Sequence, residues 1–196
     1  MSGPAKLTFE MTCWQKFCGR LLKRMGWTID GGAAPEEKCV ILGVPHTSIS
    51  DFFVSYLFYT SIGHTAHIMI KKEFFFWPVG PLLRKLGCIP VDRSNGATVV
   101  RSVITEMENA KGEFHLCLAP EGTRKPVAKW KTGYHMIARA MNCPVYLGYF
   151  DWKTKHISAG SRFDPGENAR ADTDAIQKIY EDMKLGAKYP EKFRTR

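Results

Sequence analysis

The segment Cys39-Val40-Ile41-Leu42-Gly43-Val44-Pro45-His46-Thr47-Ser48-Ile49-Ser50-Asp51 decides the fold class. Its first half is an apolar run rich in β-branched residues and too short for a helix, so it reads as a buried strand. Beyond it, Phe52 to Phe58 contains no turn residue and reads as a helix. His46 is thereby placed where a strand gives way to a helix, the usual position of a ligand in an open α/β sheet. Four residues separate His46 from Asp51, slightly more than one helical turn. With His46 just ahead of the first turn, the carboxylate folds back towards the imidazole. A carboxylate there holds the imidazole tautomer and stabilises the imidazolium, which makes His46 a general base. The same pair also suits a plain helix start, one residue capping and the other a polar neighbour.

Working outward, the apolar pattern predicts further strands over Ala66–Ile70, Gly87–Arg93, Phe114–Leu118, Pro144–Phe150 and Lys155–Phe163. Helices are predicted through Ile62, over Ala97–Ala110 behind a Ser94 cap, and over Gly133–Met141 and Asp172–Lys184. The last of these carries Ile176, Ile179, Tyr180 and Met183 on one side. Strands that alternate with helices give an α/β fold with a mixed, mostly parallel sheet flanked by helices. Ahead of this, Trp14, Phe17, Cys18, Leu21, Leu22 and Met25 form one helical stripe, with Lys16, Arg20, Lys23 and Arg24 elsewhere. A basic amphipathic helix bearing tryptophan fits an interfacial membrane anchor; the alternative is a core-packing helix with a solvated basic face. The expected organisation is an N-terminal amphipathic helix over 1–29, a loop at Asp30–Glu37, and a catalytic domain over 38–196.

The net charge of +9 points to an anionic partner. Nucleic acid is disfavoured, since the basic residues are spread through the chain and no zinc-finger, RRM or KH signature occurs. The six cysteines form no C-x2-C pair, and four lie in or beside apolar runs, as buried thiols do in a reducing compartment. No run approaches the roughly 20 apolar residues that span a bilayer, and no secretory leader is visible. A cytoplasmic location with surface contact to a membrane follows. His64 and His67 have an H-x2-H spacing without a carboxylate or thiolate in register, so no metal site is expected. The very apolar Phe74–Leu83 stretch, broken by Pro78, Gly80 and Pro81, reads either as core or as the lining of an acyl-chain groove.

Three more segments accompany the H-x4-D element in order: Gly87-Cys88-Ile89-Pro90-Val91-Asp92-Arg93, Pro120-Glu121-Gly122-Thr123-Arg124 and Cys143-Pro144-Val145-Tyr146-Leu147. Together they resemble the four sequence blocks of the glycerolipid acyltransferase family, which includes the lysophosphatidic acid acyltransferases. The resemblance spans about residues 39 to 151, and its H-x4-D and E-G-T-R pair is the specific part. It implies an O-acyltransferase that moves a fatty acyl group from acyl-CoA or acyl carrier protein to a lysophospholipid, with 1-acyl-sn-glycerol 3-phosphate as the expected acceptor. The reaction then runs through a ternary complex without an acyl-enzyme and without metal or tightly held cofactor.

On that resemblance, His46 takes the acceptor proton, Asp51 steadies it, and N–H groups at the adjoining helix start face the oxyanion. Arg93 and Arg124 grip the acceptor phosphate, since a planar guanidinium binds phosphate bidentately. Glu121 binds an acceptor hydroxyl or holds an arginine, Gly122 allows close backbone approach, and Thr123 adds a hydrogen bond. Pro45 stands where members commonly carry Asn, and the fourth block lacks its second proline. The acceptor therefore extends to other lysolipids or amino-acid-based lipids. A lipid or thioester hydrolase using the same His and Asp, and a silent membrane-surface binding protein, are the alternatives. No G-x-S-x-G elbow, P-loop or G-x-G-x-x-G fingerprint supports a different chemistry.

Overall fold

Two neighbouring parallel strands, largely apolar and largely buried, carry the motifs to one rim. In chain order the elements are α1 (Cys13–Arg24), β1 (Thr28–Ile29), β2 (Lys38–Leu42), α2 (Ile49–Ser61), β3 (Ala66–Lys71), α3 (Val79–Lys85), β4 (Cys88–Val91), α4 (Gly96–Asn109) and β5 (Phe114–Leu118). Then come α5 (Gly133–Ala140), β6 (Val145–Tyr146), β7 (Tyr149–Asp151), β8 (His156–Ser158), β9 (Arg162–Phe163) and α6 (Ala169–Met183). The computed structural model describes residues 11–92 and 95–195. Arg93, Ser94 and the first ten residues of the 1–29 segment lie outside the described residues.

The main sheet has the order β4-β3-β5-β2-β6-β9, and every neighbouring pair is parallel except β6 with β9. Side chains of β2 alternate between two cores, as the two-residue strand period requires. Val40, Leu42 and Val44 pack with Val103 and Met107 of α4, Ile137 of α5, and Ile176 and Tyr180 of α6. Cys39 and Ile41 face Cys18 and Leu22 of α1 and Val54, Leu57 and Phe58 of α2. Burial on both faces is what a parallel sheet needs, and it explains the near-continuous apolar run of β2.

A second sheet, β1-β8-β7, corrects the sequence reading of the last strands. Pro144–Phe150 is not one strand: β6 pairs with β2, and after Leu147–Gly148 the chain passes into β7 of the other sheet. Lys155–Phe163 likewise divides into β8 and β9, one in each sheet. The cause is close approach of backbones at the crossing. A Cβ at Gly148 would lie 2.6 Å from the Leu42 carbonyl oxygen, and Gly160 (φ +82°) would drive one into the Leu147 backbone. Only glycine fits.

Smaller corrections follow the caps. Asn95, accepting from the N–H groups of Ala97 and Thr98, caps α4 where Ser94 was expected. Asn168 starts α6 earlier than Asp172, and its buried stripe is Thr173, Ile176, Gln177 and Tyr180, leaving Ile179 and Met183 exposed. Gln177 is tolerated there because its amide donates to the carbonyls of Ala128 and Thr195. Within the 1–29 segment the helix occupies Cys13–Arg24. It buries Cys18 and Leu22 against α2 but leaves Trp14, Phe17 and Met25 exposed. All six cysteines are free thiols.

Candidate active site

Leu42 and Leu118 are register partners at the ends of neighbouring strands β2 and β5. Four residues past the first stands His46, and three past the second stands Glu121. Parallel pairing thus brings the H-x4-D and E-G-T-R elements side by side. The contact is direct: Glu121 Oε1 accepts the main-chain N–H of His46 at 2.9 Å. This is a role the sequence did not disclose, since Glu121 was read as facing an acceptor hydroxyl or an arginine.

Ser48 caps α2, and Asp51 completes a capping box. Asp51 Oδ2 accepts the N–H groups of Thr47 and Ser48, both at 2.7 Å, and lies 3.7 Å from His46 Nδ1. That separation exceeds a hydrogen bond and is within ion-pair range once the imidazole is protonated. Asp51 is thus bound into the helix start as the N3 member of the capping box, and the same carboxylate lies near the imidazole of His46. The Asp51 side chain is 1% exposed and that of His46 29%, so the carboxylate sits behind and the imidazole opens to solvent. Burial raises the Asp51 pKa, opposed by the N–H groups of Ser48 and Thr47, the Trp152 indole and the Lys188 charge.

The expected oxyanion donors are largely committed elsewhere. The N–H of His46 goes to Glu121, those of Thr47 and Ser48 to Asp51, and that of Ser50 to Ser48 Oγ. The helix start is organised to hold Asp51 rather than to face a substrate.

Glu121 is 4% exposed, and its second oxygen, Oε2, is buried without a hydrogen-bond partner. Burial chiefly, with the Asp51 charge adding, pushes its pKa up to about 7. Gly122 turns the chain with φ +67°, under the side chain of Lys131. Thr123 Oγ1 accepts the Lys125 N–H at 3.2 Å, a local turn bond. Arg124 is exposed on the same loop. Asp92 marks the end of β4 on the same rim, and Lys72 Nζ lies 2.5 Å from its Oδ2. Strand β4 is three places from β2, roughly 14 Å at the usual strand spacing. Arg93, next in the chain, is outside the described residues.

One residue at the site gave no sequence signal. The Trp152 indole N–H, from the turn after β7, donates to Asp51 Oδ1 at 2.9 Å. Nothing in Asp151-Trp152-Lys153 announces such a contact, which joins positions 101 apart in the chain.

The histidine pair also differs from expectation. His64 has a carboxylate partner, with Nδ1 2.6 Å from Glu113 Oε2, and neighbours His115 rather than His67. Both ring nitrogens of His115 are already bonded, to Tyr59 Oη and to the Glu36 carbonyl. This network lies at the opposite end of the sheet, beside the start of β5. A cavity lined by His67, Arg84, Cys88, Pro90 and Glu106 is likewise formed by other residues than those around His46.

A family model described as Acyltransferase matches residues 12–147. No match is found among curated proteins. The fold is similar to the crystal structure of the 1-acyl-sn-glycerophosphate (LPA) acyltransferase, PlsC, from Thermotoga maritima. The TM-score is 0.58 at 17% identity, covering 89% of this chain and 80% of that one. The matched segment takes in His46, Asp51 and the whole Glu121–Arg124 loop, on a sheet that sets them at one rim: this chain belongs to the acyltransferase family, with the fold of a glycerolipid acyltransferase.

Proposed function

We propose that this glycerolipid acyltransferase moves a fatty acyl group from acyl-CoA or acyl carrier protein to a lysophospholipid, with 1-acyl-sn-glycerol 3-phosphate as acceptor. The observation that carries the reading is a half-buried imidazole backed by a buried carboxylate, 3.7 Å apart, beside the Glu121–Arg124 loop. His46 takes the proton of the acceptor hydroxyl as that oxygen attacks the thioester carbonyl, and the thiolate leaves with a proton returned from the imidazolium. Asp51 stabilises the imidazolium. Arg124, and Arg93 beside Asp92, hold the phosphate. Glu121 fastens the loop of His46 to the loop of Arg124, so base and phosphate grip are set at a fixed separation. The acyl donor departs with its thiol, and the reaction as drawn calls for no metal.

The acceptor is a lipid, and a surface suited to lipid supports peripheral attachment on the cytoplasmic side of a membrane. Trp14 and Phe17 are stacked and exposed on α1, with Ile49 and Phe53 exposed on α2. Helix α1 adds Lys16, Arg20, Lys23 and Arg24, an arrangement suited to anionic headgroups. Among the described residues no helix is long and apolar enough to cross a membrane.

The test is thiol release from acyl-CoA against a panel of lysolipids. Turnover is expected to require acceptor and to fall by about 10²–10⁴ in His46→Ala, the scale for losing a general base. Arg124→Ala is expected to raise KM chiefly for phosphate-bearing acceptors. Fatty acid released without any acceptor would identify a hydrolase instead.

A further inference from the structure

The carboxylate of Asp51 is fixed from two directions. Its Oδ2 is held by the N–H groups of Thr47 and Ser48, which belong to its own helix start. Its Oδ1 is held from the second sheet, by the Trp152 indole at 2.9 Å. Three donors to two oxygens define the plane of the carboxylate. Remove the indole and rotation about the Cβ–Cγ bond is restrained at one oxygen only. His46 Nδ1 lies 3.7 Å from Oδ2, within ion-pair range of that carboxylate.

Trp152 is itself immobilised, and the parts that hold it come from distant chain. Its backbone N–H donates to the Gly186 carbonyl at 2.7 Å. Its ring meets the Trp27 ring edge-on at 5.0 Å, with Lys155 and Lys188 ammonium groups 4.4 and 4.7 Å from its centroid. Lys188 Nζ donates to Ser50 Oγ at 2.5 Å, and the Tyr189 N–H to Thr47 Oγ1 at 3.3 Å. The chain beyond α6 therefore closes over Trp152 and onto the residues flanking Asp51. Such a locked donor is what preorganisation of a catalytic group demands.

We propose that Trp152 is a positioning residue for acyl transfer: its indole N–H sets the plane of the Asp51 carboxylate and, through it, the imidazole of His46. The 186–189 segment holds Trp152 in that role. The inference rests on His46 acting as the base.

The test uses the full chain with acyl-CoA and 1-acyl-sn-glycerol 3-phosphate. Two replacements of Trp152 are compared: Trp152→Phe, and site-specific β-(3-benzothienyl)alanine, which keeps the shape of the indole but has sulfur in place of N–H. Both are expected to lower kcat by about 10–100-fold, the scale of a hydrogen bond to a charged group, with KM unchanged for donor and acceptor. The benzothienyl protein is expected to melt only about 3–12 °C lower for loss of that one bond and is assayed well below its melting temperature, so a loss of kcat in it is not a loss of fold. In an Asp51→Ala background the same replacement is expected to have no further effect, because the group it orients is gone. Full kcat in the benzothienyl protein, or a loss that adds undiminished to that of Asp51→Ala, overturns the proposal. Wild-type turnover that is indifferent to His46→Ala overturns the base assignment, and this inference with it; turnover that depends on His46 but not on the indole N–H overturns this inference alone.

Discussion

The Glu121→Gln protein is expected to gain stability relative to wild type as the pH rises. The carboxyl is buried beside Asp51, one oxygen bonded to the His46 N–H and the other without a partner. Its pKa stands at about 7 against an ordinary 4.5. In the unfolded chain the group ionises near its ordinary value, while in the folded chain it keeps its proton until near neutrality. The stability contributed by the protonated form is thus complete below pH 4.5 and is lost as pH rises through about 7. The gap corresponds to ~3 kcal/mol. A glutamine accepts the same His46 N–H and does not titrate. Its amide N–H₂ faces the place of Oε2, a fixed cost of about 1–3 kcal/mol at every pH if it finds no acceptor. The slope is therefore the test and not the offset. Thermal unfolding of both proteins from pH 4.5 to 8 is expected to show the melting temperature of Glu121→Gln gaining on wild type by about 6–12 °C, at 2–4 °C per kcal/mol for a chain of this size. Asp51, whose pKa is also raised by burial, is present in both proteins. A difference in melting temperature that stays constant across the window would refute the assignment of a strained, buried carboxyl at this position.

Further outcomes follow from the same geometry. Asp51→Asn is expected to lose both stability, by about 1–3 kcal/mol, and kcat. Whichever way the amide is turned, its N–H₂ faces either the Trp152 indole N–H or the two backbone N–H groups at Thr47 and Ser48, and calorimetry with thiol-release kinetics checks both losses. Tyr180→Phe removes the buried bond from Tyr180 Oη to the Gly148 carbonyl at 2.9 Å, and denaturant unfolding is expected to show a loss of about 1–2 kcal/mol without a change in KM. Phe53→Ser, at a position 56% exposed, is expected to leave the melting temperature in place while weakening binding to anionic lipid vesicles about tenfold in a sedimentation assay.

Much of the main sheet could be read from the sequence because its strands are local and apolar. Cys39–Val44 and Phe114–Leu118 are buried on both faces and read as strands without knowledge of their neighbours. His46 and Asp51 were legible for a related reason: a capping box is a short-range device, and its spacing is written in four residues. The ends of strands were harder where tertiary contact decides them. Pro144–Phe150 has the composition of one strand, and only the nearness of the Leu42 carbonyl to Gly148 divides it between two sheets. The task of Glu121 was hidden because its partner is a main-chain N–H, which no residue type announces. Trp152 was hidden because the turn that bears it reaches Asp51 only once the second sheet is built. The apolar α1 stripe was read correctly as a helix face, but not how it is shared: Cys18 and Leu22 go to α2, while Trp14 and Phe17 stay outside.

The two chain crossings at Gly148 and Gly160 bear on how a mutational scan of this protein would look. Neither residue touches the chemistry, yet any side chain there collides with main-chain atoms that have nowhere to go. Deep scanning for growth or activity would therefore mark both positions as intolerant as His46. Sorting the two kinds of intolerance requires measuring abundance alongside turnover: the glycine variants disappear from the soluble fraction, whereas the histidine variant accumulates as intact, idle protein.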